Sequence, residues 1–319
     1  MPKDKQHYVP QFLLKRFATG KKGNPKIFVY DKSNNNEFLA NVKNVAAEGS
    51  FYDLEVDDYI LTLEKGLSHL ESNTSPVIKE ILKKKTLKVL NDEKIAILAV
   101  FLAVQFVRTK EYRLKFQHAK EQLIHKLKSM NIPEDVINKQ LNNPNNVDEN
   151  KLIGIDSIIR IEKIVPHFLD KTWLLFETTN KHPFYISDNP LTLHNDINHK
   201  PYGNLGLTAQ GIQIYLPIST TMCLALFCPS ITEQFIKAHD NIAVSLFKKD
   251  NTNGMRDFYN GIVHRSPIQT VEENVVMMNS LQVISSSRFV YCEKKSFSLV
   301  EGMISDNKKF RKGRKMEVV

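Results

Sequence analysis

The run Ile95-Ala96-Ile97-Leu98-Ala99-Val100-Phe101-Leu102-Ala103-Val104 is apolar at every position and lies at the end of the first third of a chain of 319 residues. It follows Asn91, a residue type that favours a helix N-cap, and the helical pattern continues toward Met130. Because such a helix is apolar on nearly every face, it must be surrounded by protein. We therefore predict a helix from about residue 91 to 130 that lies in the centre of a domain.

Two further helices are predicted on either side of this run. Residues 58–85 have the pattern of a helix, which Pro76 would kink or split. Residues 155–170 predict another helix, after a polar break at 142–146 that is typical of a loop. The middle of the chain, residues 55–170, is therefore expected to be rich in helices.

Most of the predicted strands lie in the second half of the chain. Its apolar segments are short, rich in β-branched and aromatic residues, and separated by turn signals. The expected strands lie at 173–176, 184–186, 211–217, 222–227 and 289–291, with a helix at 271–286 before the last of them. Helices and strands are segregated rather than alternating, which predicts an α+β fold. We expect a single domain over residues 1–300, in which the helical middle region packs on a mainly antiparallel sheet formed largely by residues 172–292.

Composition and charge limit the class of protein. The net charge is +9, and no run approaches the roughly 18 apolar residues that a membrane span needs. The opening residues lack the apolar stretch that is typical of a signal peptide. The spacing of Cys223, Cys228 and Cys292 suits neither a disulfide framework nor a four-ligand zinc site. These features predict a protein of the reducing cytoplasm that makes no membrane contact.

The N-terminal segment His7-Tyr8-Val9-Pro10-Gln11-Phe12-Leu13-Leu14-Lys15-Arg16-Phe17 is too apolar for a frayed chain end. Its apolar residues after Pro10 have the spacing of one helical face, and a proline suits the first turn of a helix. We expect this short helix to anchor the segment in the core and to hold His7 just outside it.

Gln105 and Arg108 are the polar residues that end the central apolar run. They are three positions apart, so they share one face of the helix. An arginine that is carried inward by a helix must pair with a carboxylate or bind an anion. Glu64 and Glu71, seven apart on the preceding helix, are candidate partners. Two interpretations stay open: a buried ion pair that locks two helices together, or an arginine that binds a phosphate.

Asp188 follows a predicted strand, in the segment 184–190. It is either a functional carboxylate presented by a rigid element or part of an Asx-turn that closes the strand. Together with His194, Asp196 and His199 it forms a dense patch of candidate metal ligands, which a polar loop explains equally well. A divalent metal is therefore one candidate cofactor.

The end of the chain, residues 301–319, is predicted to be a basic C-terminal tail. Residues 308–315 contain six Lys or Arg and no acidic residue. A flexible cationic arm neutralises phosphates without reading sequence, whereas the simpler interpretation is a solvated chain end. The candidate substrate-binding residues of the tail are Lys309, Arg311, Lys312 and Arg314.

Three separated segments together resemble one family of bacterial proteins, the domain of unknown function 4238. Residues 7–18 look like its N-terminal signature, residues 105–109 are similar to its glutamine and arginine-threonine motif, and residues 187–190 resemble its aspartate-proline turn. Lys110 stands where the family pattern has a proline. The family carries no established activity. The resemblance implies that one set of residues belongs together: His7, Gln11, Gln105, Arg108 and Asp188.

This residue set leads to a first hypothesis, a phosphodiester-directed, nuclease-like hydrolase. His7 would act as general acid or base, since its unperturbed pKa lies near neutrality. Asp188 would orient it or hold a metal, and Arg108 would contact a phosphate or stabilise developing negative charge. With a basic surface, the substrate would be a nucleic acid or nucleotide. Such an enzyme would suit a toxin or an anti-phage effector.

The alternative hypothesis is a non-catalytic module that binds nucleic acid or protein, in which the same polar residues are structural. The two hypotheses differ in geometry. Convergence of His7, Arg108 and Asp188 on an open pocket favours the enzyme, and separation or burial of these residues favours the module. The residue pattern also predicts that His7 lies within hydrogen-bond reach of Asp188 or one bridging water away.

Overall fold

The computed structural model describes residues 5–20, 23–56, 59–141, 149–197, 203–245 and 253–314. The helices, in chain order, are α1 (Gln11–Leu14), α2 (Glu64–Lys84), α3 (Asp92–Val107), α4 (Lys110–Ser129), α5 (Glu134–Leu141), α6 (Glu149–Ile159), α7 (Pro166–Leu169), α8 (Pro229–Ser245), α9 (Asn253–His264), α10 (Glu272–Ser285) and α11 (Ser298–Asp306). The strands are β1 (Lys5–His7), β2 (Lys26–Asp31), β3 (Asn36–Asn41), β4 (Ala47–Gly49), β5 (Asp53–Val56), β6 (Tyr59–Thr62), β7 (Thr172–Glu177), β8 (Ile186–Ser187), β9 (Thr192–His194), β10 (Gln213–Pro217), β11 (Met222–Phe227), β12 (Pro267–Gln269) and β13 (Phe289–Cys292).

The largest sheet is built entirely from the second half of the chain. Its strand order is β12-β7-β11-β10-β9, and its pairs are antiparallel except for the parallel pair of β12 and β7. Every residue of the central strands β10 and β11 is buried, so both faces of this part of the sheet are covered. The strands predicted at 211–217 and 222–227 are confirmed, the first with its start at Gln213.

A second, four-stranded sheet joins the two ends of the chain. Its order is β3-β2-β13-β8, and all its pairs are antiparallel. Tyr291 of β13 lies opposite Val29 of β2, which is far away in sequence. Two short antiparallel ribbons, β1 with β4 and β5 with β6, complete the strand pairing among the described residues. The α+β prediction is therefore confirmed, but the single expected sheet is replaced by two main sheets.

Helix α3 lies in the apolar core, as predicted. Leu98, Phe101 and Leu102 are fully buried, and α2 and α7 pack against the helix. The Asn91 side chain caps the N-terminus of α3 by accepting a hydrogen bond from the backbone N–H of Lys94. None of the described helices, α3 included, is long and apolar enough to cross a membrane.

The prediction of one continuous helix over residues 91–130 is wrong, because the helix is broken at Thr109. Thr109 is extended, with ψ 157°, and its hydroxyl caps α4 by accepting a hydrogen bond from the backbone N–H of Tyr112. The same hydroxyl donates to Asn189 Oδ1 at 3.0 Å. A tertiary hydrogen bond to a residue 80 positions away thus accompanies the end of α3 and the start of α4.

Two other helical predictions need correction. The helix predicted at 58–85 begins only at Glu64, because Tyr59–Thr62 forms β6; α2 then continues through Pro76 without a split, and Val77, which follows it, is buried in the core. The helix predicted at 155–170 is divided into α6, a 3-10 turn at Ile161–Lys163 and α7, which starts with a proline at its first position. Helices α8 and α9 are not predicted by the sequence analysis. The loop predicted at 142–146 lies outside the described residues.

The C-terminal region packs on the domain as far as Arg314. The predicted boundary at residue 300 falls inside α11, which contributes Val300 to an apolar cluster on the four-stranded sheet. A 3-10 turn follows at Lys308–Arg311, and Phe310 packs against the same cluster. Arg311 donates to the backbone carbonyl of Ser33 at 3.1 Å. Residues 308–314, called the basic segment below, are therefore docked rather than extended as a flexible arm.

Candidate functional site

The end of helix α3 holds the N-terminal segment through one backbone carbonyl. Gln105 Nε2 and Arg108 Nε both donate to the Tyr8 carbonyl oxygen, at 3.0 and 3.1 Å. Both side chains are fully buried, and their spacing of three positions puts them on one helical face. The amide and the guanidinium therefore fasten the N-terminal segment to the core.

The remaining nitrogens of Arg108 pair with a carboxylate. Nη1 and Nη2 donate to Glu71 Oε1 at 3.0 and 2.9 Å. The prediction that Arg108 is buried and contacts Glu64 or Glu71 is confirmed for Glu71. Burial raises the pKa of the nearby Glu64, and the charge of Glu71 raises it further. Arg108 thus has protein partners on all its donor nitrogens, as the buried ion-pair interpretation requires.

Asp188 binds the loop that connects α10 to β13. Its carboxylate accepts from the backbone N–H groups of Ser287, Arg288 and Phe289, each at 2.8 Å, and from the Ser287 hydroxyl at 2.7 Å. The side chain is almost completely buried. Burial raises the pKa of Asp188, whereas these donors lower it. Asp188 therefore closes the end of a strand against a second loop.

His7 and Asp188 make no direct hydrogen bond in the part of the chain that the structure describes, and contact through one bridging water stays a prediction. His7 is half-buried, and its Nε2 has no hydrogen-bond partner. Burial lowers the pKa of His7, and the charge of Arg108 lowers it further. Consecutive side chains of an extended chain project to opposite sides, so His7 and its neighbour Tyr8 point in different directions. The pKa of Tyr8, not that of His7, is raised by the charge of Asp188, although burial is the larger cause of the rise.

The other residues of the predicted set are spread over different elements. Gln11 begins α1 and is half-buried. In the basic segment, Lys309 and Lys312 are exposed, and Arg311 is half-buried against the turn after β2. The structure brings together Gln105 and Arg108 on the Tyr8 carbonyl, and it does not bring Asp188 into that cluster. Arg314 is exposed and lines a cavity.

This cavity, called the α4 cavity below, has a volume of about 180 Å³. It lies between the start of α4, the turn after β8 and the end of α10. Its polar lining residues are Thr109, Glu111, Lys115, Asn189, Ser285 and Arg314, and its apolar lining residues are Phe106, Tyr112, Phe116, Leu191, Leu193 and Leu205. Thr109 and Asn189 belong to the second and third motif segments, so these segments meet at the cavity wall.

Glu111 is a buried acid on this wall. Its side chain makes no hydrogen bond with the described residues and is only 3% exposed. Burial raises its pKa to about 8, and the charge of Lys115 counteracts this rise. Gly313 of the basic segment lies directly against it, because a Cβ at Gly313 would collide with the Glu111 carboxyl. The acid is therefore enclosed by the chain end on one side and by the cavity on the other.

A buried lysine lies behind Glu111. Lys32 is fully buried, and its Nζ donates to the backbone carbonyls of Val283 and Ser286 at 2.6 and 2.8 Å. Burial lowers the pKa of Lys32 to about 8, and the charges of Asp188 and Glu111 counteract this change. Lys32 thus links the carboxylate of the strand-end turn to the acid of the cavity electrostatically.

The metal hypothesis gains no support in the part of the chain that the structure describes. No group of three His, Cys, Asp or Glu there could hold a metal ion. His194 Nε2 lies 2.9 Å from Asp196 Oδ1 as an isolated pair, and Asp188 is fully engaged with its own loop. His199 lies outside the described residues.

Sequence reasoning misses Glu111, Lys115 and Lys32. Glu111 and Lys115 are four positions apart on α4, which is the only sequence signal for them, and such pairs are common on solvated helices. Lys32 stands in a polar, turn-prone stretch after β2. Their burial results from the docking of distant elements, which a single sequence does not reveal.

The fold and these contacts define an α+β protein with an interior polar network. That network, the motif network, joins the N-terminal segment to the junction of α3 and α4 and to the turn after β8, and comprises Tyr8, Gln105, Arg108, Thr109, Asp188 and Asn189 with their partners. The chain belongs to the family described as Protein of unknown function (DUF4238), whose family model matches residues 5–296. The family resemblance is thereby confirmed. No curated protein and no solved structure gives a significant match.

Proposed function

We propose that the protein is a non-catalytic nucleic-acid-binding module in which the motif network is structural. The observation that carries this proposal is that Arg108 and Asp188 have no hydrogen-bonding group left for a substrate. Both are buried, and the guanidinium donors and the carboxylate oxygens are taken by the protein itself. A phosphate-binding arginine or a catalytic carboxylate has to offer free hydrogen-bonding groups to a substrate. This geometry supports the module over the nuclease-like hydrolase.

The basic segment supports a nucleic-acid partner. Five of its seven residues are Lys or Arg. Lys308, Lys309 and Lys312 are exposed, and the docking of Arg311 and Phe310 fixes the segment on the surface. Lysines on a docked backbone neutralise phosphates at a lower ordering cost than lysines on a flexible chain end. Binding through them is electrostatic and independent of sequence.

The proposed compartment is the cytoplasm. Cys223 and Cys292 are buried free thiols, and Cys228 is a free, half-buried thiol. Unpaired cysteines suit a reducing compartment.

The proposal predicts a specific salt dependence. Replacing Lys308, Lys309 and Lys312 together by glutamine is expected to weaken binding to a labelled single-stranded oligonucleotide. The slope of log K against log salt should fall in magnitude by about 2, since each lost phosphate contact on a single strand contributes about 0.7. The measurement is a salt titration of fluorescence anisotropy.

A matched control carries the same charge change elsewhere. Lys83, Lys84 and Lys88 lie at and after the end of α2 and are exposed. Their triple glutamine variant should retain the wild-type affinity and slope. Equal losses in both variants would show that only net charge matters, and no loss in either would remove the basic segment from the proposal.

A further inference from the structure

We propose that the α4 cavity is a binding site for a small organic anion, a carboxylate or phosphate that carries an apolar ring. This site shares Arg314 with the basic segment but not the exposed Lys308, Lys309 and Lys312, and it does not depend on the module proposal. Its ligand is recognised by Lys115 and Arg314 at the charged end and by aromatic and aliphatic side chains at the other.

The first evidence is a pair of unpartnered polar groups. Glu111 is 97% buried, and neither its carboxyl nor the Lys115 amine makes a hydrogen bond with the described residues. Both side chains line the cavity. Buried polar groups in native proteins almost always have hydrogen-bond partners. The buried Glu111 carboxyl therefore points to a partner in the cavity, and the half-buried Lys115 amine faces the same space.

Two other polar lining residues, Thr109 and Asn189, already have partners in the protein. Thr109 donates to Asn189, and Asn189 donates to the Ser285 carbonyl at 3.0 Å. These residues form a rigid wall, while Glu111 and Lys115 remain available. The motif network thus positions the cavity without contributing its own donors and acceptors to the ligand.

The charges around the cavity favour an anion. Lys115 and Arg314 supply two cations, and Lys32 lies behind the wall as a third group whose charge reaches Glu111. Against them stand Glu111 and the more distant Asp188, whose charge is held by its own loop. The raised pKa of Glu111, about 8, leaves it mostly protonated at neutral pH, as a hydrogen-bond donor. A carboxylate or phosphate would accept hydrogen bonds from the Lys115 amine, the Arg314 guanidinium and the protonated Glu111 carboxyl.

The rest of the lining favours an apolar body of limited size. Phe106, Tyr112 and Phe116 form an aromatic wall. The Tyr112 ring centroid lies 5.7 Å from that of Phe106 and 5.0 Å from that of Phe116. Three leucines face the cavity as well. A volume of about 180 Å³ corresponds to about six waters at roughly 30 Å³ each, which accommodates one ring with its charged group rather than a polymer.

The test uses three probes with one ring: benzoate, phenyl phosphate and the neutral benzyl alcohol. Isothermal titration calorimetry at pH 7 should show binding of at least one anion and none of the alcohol. Lys115→Met keeps the apolar stem and should weaken anion binding about tenfold or more, as expected for loss of a charged hydrogen bond. Lys126→Met, an exposed position on the same helix, should not change it.

A pH series adds a second readout. Wild-type affinity for the anion should fall as pH rises through about 8, because Glu111 loses the proton that it donates and gains a repelling charge. Lys32 loses its charge over the same range, and burial also lowers the pKa of Lys115. Glu111→Gln keeps a donor at every pH and should therefore remove only the part of this loss that Glu111 causes. The exposed Arg314→Gln variant keeps the test valid if Lys115→Met fails to fold, and it should weaken binding as well.

Several results would overturn the proposal. These are the absence of binding of both anions at millimolar concentration, equal binding of the alcohol, or equal effects of Lys115→Met and Lys126→Met. Retained anion binding by the triple glutamine variant of the basic segment is expected, and its loss would assign the anion to the nucleic-acid contact instead.

Discussion

Arg108→Ala is expected to lower the free energy of unfolding by about 3–5 kcal/mol, the range for removing one partner of a buried ion pair. The substitution deletes three donors, which leaves the Tyr8 carbonyl with the Gln105 amide alone and Glu71 without its cation. It also opens a cavity where the fully buried side chain stood. The N-terminal segment should loosen as a result.

Urea denaturation, followed by circular dichroism, measures this effect. Arg160→Ala is the matched control, because Arg160 pairs with Asp156 at 2.7 Å on the surface of α6, with both side chains more than half exposed. Exposed pairs of this kind contribute about 0–1 kcal/mol. An equal midpoint for the two variants would contradict a structural role for Arg108.

Asp188→Ala is expected to cost at least about 3 kcal/mol. Three backbone N–H groups and one hydroxyl lose their acceptor at a buried site, and each unsatisfied donor costs about 1–3 kcal/mol. The loop after α10 then keeps only its other contacts, such as those of Lys32 with the Ser286 carbonyl and of Arg288 with Asp31, and β8 loses a side-chain contact with β13. The loss is expected whether or not the carboxyl is ionised, because every donor is orphaned in either case.

Thermal and urea unfolding of Asp188→Ala should be compared with Asp196→Ala. Asp196 is 77% exposed and pairs with His194, so its removal should change stability by less than about 1 kcal/mol. A stable, cooperatively folded Asp188→Ala variant would show that the carboxylate is kept for something other than closing the strand.

The parts of the structure that follow from local pattern are predictable from the sequence. The burial of α3 follows from its apolar composition. That Arg108 pairs with a carboxylate of the preceding helix follows from the rule that a buried guanidinium needs one, whereas the choice of Glu71 over Glu64 is made only by the structure. The central strands of the large sheet follow from their apolar, turn-bounded segments.

Other features depend on distant contacts. The break at Thr109 involves a hydrogen bond to Asn189, 80 residues away. The charge of Asp188 acts on Tyr8, 180 residues away in sequence, rather than on His7. The docking of the basic segment is set by Phe310, which packs on a cluster that includes the distant Tyr30, and by Arg311, which bonds to Ser33, 278 positions away. No propensity or spacing encodes these contacts.

The candidate site illustrates the same limit. Its motif residues are identified by resemblance; Gln105, Arg108 and Asp188 are buried, whereas His7 and Gln11 are half-buried. Glu111 and Lys115, which line the cavity, look from the sequence like an ordinary pair on a solvated helix. Their environment arises only after α4, the turn after β8 and the chain end have come together.

The measurement that tests the module most directly is incubation of the full-length protein with labelled RNA, single-stranded DNA and duplex DNA. Each is incubated with and without Mg²⁺ or Mn²⁺, and binding and strand integrity are read from the same samples. We expect retarded complexes that weaken with salt and strands that remain intact. Cleavage that His7→Ala abolishes, with an unchanged unfolding midpoint, would contradict the module and establish the hydrolase.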